Sequence, residues 1–473
     1  MGSPSLSGTA QPITEKLDLT TRLAYGTGEI AGAIPSSTTA LFLIFFLTNV
    51  AGLSPMLAGS AMFLGKVWDA LSDPVIGWLS DHTQSPLGRR YPWMLGGAIP
   101  LAIACILCWQ VPPINSQWGL FAYYVAASVL AYSAFTCVML PFSALAAELT
   151  QGYDERITLI SFKSAFSIGG SIFALAMAQI LFTQVADPEQ QYQLLGLGSA
   201  VLVILAVLGC VAGTYKRYRL VQKHRPQMAT ATTIRLWQQV RIAASNRPFL
   251  WVAGLYLFSW TGVQISVVVL LYFVVDWMGL SKSHFVWMAL VVQATAVVTT
   301  FLWNWIGRHS EKRTVYFLGA PFILISQLGL FSIQPGQTSW MYGLAVLAGI
   351  GTATVYLVPW SMLPDVVDFD ELNTGQRREG LFYSSVVFIQ KMGIAVAIFV
   401  TSQVLDWAGY IATSANEPAV IQPDLALWTI RVIVGPIPAI AIVIGLVFAY
   451  YYPITREVHT SILLKLRDQQ SLL

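Results

Sequence analysis

The chain has 473 residues, of which 56% are hydrophobic and only 10% charged, and its net charge is +3. Soluble domains carry about 25% charged residues, so a water-soluble core is excluded and a polytopic membrane protein is indicated. A net charge this small over so long a chain gives no basis for nucleic-acid binding.

The first 20 residues are polar and lack the apolar core of a cleaved leader. Beyond them, apolar runs recur at 24–50, 55–80, 92–111, 118–147, 157–184, 193–215, 249–275, 284–306, 314–333, 339–363, 380–406 and 428–452. Crossing about 30 Å of hydrocarbon takes about 20 helical residues, and these runs are too long and evenly apolar for barrel strands. The expected fold is an all-α membrane protein with twelve transmembrane helices in two six-helix bundles.

Helix 2 carries Lys66, Asp69 and Asp73 inside its apolar stretch. The spacings of three and four place all three on one helical face. A charge at bilayer depth costs at least about 2.5–3.5 kcal/mol and usually lines an ion or substrate path. Two adjacent carboxylates in low dielectric repel unless a cation or a proton shares them. Na⁺, Li⁺ or H⁺ suits such a niche. The other reading is a closed ion-pair network with Lys66 and with Lys391, a lone cation in helix 11. Lys391 could neutralise an aspartate when a cation leaves, which would couple occupancy to conformation.

The run from Gly77 to Arg90 is read as a loop in which Asp81 pairs at a helix end while Arg89 and Arg90 stay in water. Its looser counterpart after helix 8 is Gly307-Arg308-His309-Ser310-Glu311-Lys312-Arg313. Such clusters are expected to latch the cytoplasmic side when the outward-facing state forms. In helix 3, Cys105 and Cys108 form a C-x-x-C with no further Cys or His nearby, so they read as small apolar fillers.

Helix 4 closes with Pro141-Phe142-Ser143-Ala144-Leu145, and helix 10 closes with Pro359-Trp360-Ser361-Met362-Leu363. An acid follows each motif, Glu148 or Asp365, and then a charged cluster, Asp154-Glu155-Arg156 or Arg377-Arg378-Glu379. The repeat implies bundles over 1–215 and 249–473, in the parallel arrangement of major facilitator transporters. The loop between them, 216–248, holds eight basic residues and no acid. It reads as a cytoplasmic topology anchor with an amphipathic helix on anionic lipid. Twenty-one of the 26 Lys and Arg fall in tails and loops on one side, against Lys282 alone on the other. Both termini are therefore expected in the cytoplasm. Asp276 and Asp406, each followed by Trp, read as interface residues at the opposite side.

Residues 77–90 resemble the G-x-L-x-D…G-R-R signature of the major facilitator superfamily. Gly65-Lys66-Val67-Trp68-Asp69-Ala70-Leu71-Ser72-Asp73-Pro74-Val75-Ile76-Gly77 and Gly88-Arg89-Arg90-Tyr91-Pro92-Trp93 are similar to signatures of the glycoside–pentoside–hexuronide:cation symporters, the melibiose permease family. Tyr25-Gly26-Thr27-Gly28 and Leu363-Pro364-Asp365-Val366-Val367-Asp368 extend the likeness to essentially the whole chain. The resemblance implies cation binding by Asp69 and Asp73 with help from Thr136, coupling through Lys66 and Lys391, and a substrate-cavity aromatic at Tyr356.

The family's galactoside-binding positions fall near Ala33, at Met139 and near Ser164, with Lys163 adjacent. A site built on pairing hydroxyls loses selectivity without its carboxylates, so a galactoside is not expected. The stretch Thr136-Cys137…Pro141…Ser143-Ala144-Leu145 and the W-S-M-L-P-D run at 360–365 resemble the animal sodium-dependent lysophosphatidylcholine symporters, which keeps an amphiphilic substrate open. Glu29, Tyr132, Met139, Lys163, Trp260, Gln264, Tyr356 and Trp360 are the expected cavity residues. Aromatics there suit a sugar face or an acyl chain equally.

The expected function is cation-coupled (Na⁺ or H⁺) secondary active symport of a sugar or glycoside-like solute, with a lysophospholipid or other amphiphile as the alternative. An enzyme is not expected, since there is no nucleophile elbow or His-rich metal set, and an ATP-driven pump is excluded by the lack of a phosphate-binding G-x-x-x-x-G-K-[ST] loop. A sensor that has lost transport fits poorly with the intact Asp69, Asp73, Thr136 and Lys391. No cofactor is expected beyond the co-transported Na⁺ or H⁺. The expected setting is a monomer in a bacterial inner membrane, with the bilayer, the cation and a small solute as partners.

Overall fold

The computed structural model describes residues 17–150, 153–223, 236–376, 378–413 and 420–471. Among these, twelve helices build the body: α1 (Leu19–Asn49), α2 (Pro55–His82), α3 (Tyr91–Leu107), α4 (Gln117–Leu149), α5 (Tyr153–Gln184), α6 (Pro188–Lys223), α7 (Arg247–Trp277), α8 (Lys282–His309), α9 (Lys312–Ser332), α10 (Thr338–Thr374), α11 (Glu379–Trp407) and α12 (Asp424–Tyr450). A last helix, α13 (Arg456–Ser471), follows them. Ten of the twelve are long and apolar enough to cross a membrane. Of the other two, α3 is a shorter apolar helix, and α2 is interrupted by Lys66, Asp69 and Asp73.

Helix ends follow local chemistry rather than the edge of the apolar run. Asp18 caps α1 by accepting the Thr21 amide at 3.1 Å, and that bond holds its carboxyl below the usual range. The expected end of helix 10 at residue 363 is too early. Polar residues continue the helix beyond the apolar run until Gly375 closes it at φ +67°, the left-handed conformation that glycine adopts freely. Asp365, Asp368 and Asp370 are therefore helical. Asp81 is helical too, because α2 runs through His82. α12 breaks at Gly435, where Pro436 has no amide hydrogen to continue the ladder. Both α1 and α7 contain a π-turn, at Thr39–Leu43 and Phe273–Trp277. In the central loop a short helix spans Leu236–Ser245, while residues 224–235 lie outside the described residues.

The two halves repeat one packing plan. α1 packs on α5 and α6, α2 on α4, and α3 on α4 and α6. Six helices later, α7 packs on α11 and α12, α8 on α10, and α9 on α10 and α12. Across the halves, α2 meets α11 and α5 meets α8.

The apolar core has three parts. One cluster joins both halves at the face away from the chain ends, with Phe42, Phe46, Trp109 and Tyr192 against Tyr272, Phe285, Met341 and Ile430. Toward the face that carries the chain ends, each half has a separate core, around Tyr91 and Phe142 in the first and around Tyr316 and Phe382 in the second. The molecule is thus sealed at the far face.

Polar bridges reinforce the seal. Thr48 Oγ1 lies 2.7 Å from the Tyr272 hydroxyl, and Asn49 Nδ2 donates to the Tyr410 hydroxyl at 2.7 Å. That hydroxyl donates onward to Asp276 at 2.9 Å. Asp276 is therefore part of the seal rather than a lipid-interface residue. Asp406 accepts the Met56 amide of the other half at 3.3 Å. Lys282 donates to Gln191 at 3.3 Å and lies 4.8 Å from the centre of the Tyr192 ring.

Candidate functional site

The charged face of α2 turns toward α4 and α11. Asp69 is 2% exposed. The Lys391 ammonium on α11 reaches Oδ2 of Asp69 at 2.9 Å and Oδ2 of Asp73 at 2.5 Å. On the other edge of the pair, the Thr136 hydroxyl of α4 lies 2.9 Å from Asp73 Oδ1 and 3.3 Å from Asp69 Oδ1. Lys66 stands further off, 3.9 Å from Asp69 Oδ2. Its ammonium lies 4.2 Å from the centre of the Tyr132 ring, a cation–π contact. Tyr132, expected as a substrate-cavity residue, is thus a wall of the ionic niche.

This arrangement joins the expected cation residues of the first half to a lysine of the second. Two carboxylates thus meet two lysine side chains, Lys391 closely and Lys66 at a distance. The Lys391 ammonium bridges the two acids.

A second group lies on the other half. Trp260 of α7 is buried, with its ring edge-on to Tyr356 of α10 at 5.0 Å and tilted on Tyr256 at 5.6 Å. Trp360 Nε1 donates to the Tyr256 hydroxyl at 3.4 Å. Tyr356 is 48% exposed, whereas the buried Trp260 Nε1 and Thr261 Oγ1 have no hydrogen-bond partner among the described residues. Gln264 is buried on α7, one turn beyond Trp260. Tyr256 was not anticipated, although the four-residue spacing of Tyr256, Trp260 and Gln264 marks one helical face.

The remaining expected cavity residues are placed apart. Lys163 of α5 lies 3.7 Å from Glu29 of α1 and donates to Ser143 Oγ at 3.1 Å. Met139 of α4 lies against Gly32 of α1, its Cε 2.5 Å from where a Cβ would stand. Cys105 and Cys108 are free and buried, as fillers would be.

The charged clusters at the face carrying the chain ends also differ from expectation. Arg90 is buried, not in water. It pairs with Asp81 at 2.5 Å and shares the buried Glu148 with Arg89, at 3.2 and 2.7 Å. In the second half, Lys312 holds both Asp365 oxygens at 2.7 Å, and Arg378 holds Asp370 at 2.7 Å. Each of these pairs lies within one half. Arg377 and the side chain of Asp154 lie outside the described residues.

Comparison with known proteins agrees with this architecture. The family described as MFS/sugar transport protein matches residues 24–456. An uncharacterized symporter of Synechocystis sp. is 41% identical, over 96% of this chain and 98% of its own. The sodium-dependent lysophosphatidylcholine symporter 1-A of Danio rerio is 25% identical, over 93% of this chain and 87% of its own. The solved structure of the nucleoside transporter NupG matches with a TM-score of 0.65 at 10% identity, over 92% of this chain and all of that one, which is a likeness of fold.

Proposed function

The chain belongs to the MFS/sugar transport family and is a membrane transporter, not an enzyme; from that premise we propose a cation-coupled secondary active symporter that holds Na⁺ or H⁺ between Asp69 and Asp73. One observation carries the reading: Lys391, from the opposite half, occupies the gap between the two acids. Paired carboxylates in low dielectric need a positive partner at every stage. A guest cation and Lys391 therefore compete for the same oxygens. Cation entry frees Lys391 and loosens a tie between α2 and α11 across the two halves. Thr136 supplies a further oxygen ligand, which suits a hard cation such as Na⁺.

The solute is a sugar or glycoside-like molecule that stacks on the aromatic wall of Tyr356, Trp260 and Trp360, with Gln264 as a polar group. Solute and cation must each raise the other's affinity, and bundles 1–215 and 249–473 then rock about the bound pair. With both termini in a bacterial cytoplasm, the sealed face is the outer one, and the conformation is inward-facing with Lys391 in the cation's place.

A second reading, symport of a lysophospholipid-like amphiphile, is favoured by Met139, an apolar side chain where the resembled family places a sugar-binding carboxylate. The likeness to the Danio rerio symporter also supports it.

Uptake into proteoliposomes tests both readings, with sugars and lysophosphatidylcholine as parallel probes and with or without a Na⁺ or pH gradient. Asp73→Cys is expected to abolish gradient-driven accumulation while inserting normally. Cation-stimulated accumulation that survives in Asp73→Cys would remove the cation assignment.

A further inference from the structure

At the face carrying the chain ends, the second half holds a cavity of about 250 Å³. It lies where α8 ends, where α9 and α13 begin, and against the helical extension of α10. Cations dominate its lining: Arg308, Lys312, Arg313 and Arg456, with His459 beside them. The two acids that line it are already engaged. Asp365 takes Lys312 on both oxygens at 2.7 Å, and Glu311 pairs with Arg313. His459 lies 3.0 Å from Asp368 and 3.5 Å from Asp365.

Arg308 and Arg456 are left over. Among the described residues neither has a carboxylate within ion-pairing distance, although Arg456 donates to the Arg308 carbonyl at 3.4 Å. Arg308 and Arg456, both exposed residues, line one cavity with the starts of α9 and α13, whose dipoles add positive potential.

The depth of the cavity is also marked. Trp305, one turn before the lining residue Arg308, and Tyr450 and Tyr451, just before the lining residue Tyr452, are 62%, 65% and 56% exposed, as residues of an interfacial aromatic belt are. Such aromatics next to the cavity are what a position near lipid headgroups would require.

We propose that this cavity binds a phosphate group, with Arg308 and Arg456 as its guanidinium donors, supplied by an acidic phospholipid of the adjoining leaflet or by free phosphate. The planar forks of arginine suit phosphate oxygens, and basic pockets at helix ends on the cytoplasmic side accept anionic headgroups. The inference stands apart from the symport reading and needs no transported solute.

Native mass spectrometry of the purified full-length protein tests it, using phosphatidylglycerol, phosphatidylcholine and inorganic phosphate as separate probes. Phosphatidylglycerol is expected to be retained over phosphatidylcholine, whose choline neutralises its own phosphate. Arg308→Gln and Arg456→Gln should each reduce that retention several-fold. Lys465→Gln, on α13 but away from the cavity, should leave it unchanged. Arg308→Lys, which keeps the charge and loses the fork, should fall between, and covers the case in which Arg308→Gln does not fold. Retention of inorganic phosphate, lost in the same variants and without lipid preference, would assign the site to a soluble anion. Unchanged retention in the double variant Arg308→Gln/Arg456→Gln, or an equal loss in Lys465→Gln, overturns the proposal.

Discussion

Lys66 and Lys391 could each neutralise Asp69, but only the second does so closely, at 2.9 Å against 3.9 Å. The difference follows from where each side chain starts. Lys66 shares a helix with both acids and rests on Tyr132, whereas Lys391 enters from α11 and meets both carboxylates end-on. Under the symport reading, removing Lys391 removes a competitor for the niche. Lys391→Gln is expected to bind ²²Na⁺ up to roughly tenfold more tightly than the parent, about 1.4 kcal/mol, yet to build no accumulation. Scintillation-proximity binding beside vesicle uptake checks this, and lost Na⁺ binding would make Lys391 a structural tie. The grouping of Asp69, Asp73 and Lys391 was legible in the sequence, because charges in an apolar run must find one another, whereas Thr136 was expected only from the family resemblance. The retreat of Lys66 onto an aromatic ring was not legible, because it depends on how α4 packs against α2.

The contact of α2 with α11 is close because Gly59 has no side chain. A Cβ there would stand 2.2 Å from Ser402 Cβ. Further along the same contact, Phe63 and Phe399 pack at 5.0 Å. Gly59→Ala should force the two helices apart and disfavour the sealed conformation, and Ser402→Gly added to it should restore the balance. Spin labels at Trp118 and Trp340, both 69% exposed at far-face helix starts, would report this as a longer inter-label distance in Gly59→Ala alone. An unchanged distance distribution would mean that the contact does not set the conformation. At this scale the sequence told where the apolar runs lie but misjudged where helices stop. Apolar periodicity measures the bilayer, while α2 and α10 run on into polar residues such as Asp81 and Asp365 whose charges are matched by neighbouring helices.

Across the whole molecule, the far-face seal combines an apolar cluster with one ammonium over aromatic rings. Lys282 of the second half lies 4.8 Å from the centre of Tyr192 and 5.4 Å from that of Phe182 in the first. Losing a cation–π contact of about 0.5–2 kcal/mol would favour opening roughly 2- to 30-fold. Lys282→Gln should therefore speed maleimide labelling of a cysteine placed at the buried Phe285 by that factor. An unaltered rate would leave closure to the apolar cluster alone. The two halves were visible in the repeated motifs at 141 and 359. Which face is sealed was not, since under the symport reading one sequence must permit both states of a rocking carrier.

The ionic niche has an electrical consequence under the symport reading. With both lysines protonated and both aspartates ionised, the region would be neutral when it carries no guest and would gain one elementary charge on loading. The membrane potential, worth about 2.3 kcal/mol per charge for each 100 mV, would then drive the loaded crossing and leave the empty return almost untouched. A cell could speed uptake by hyperpolarising without slowing the reset of the carrier.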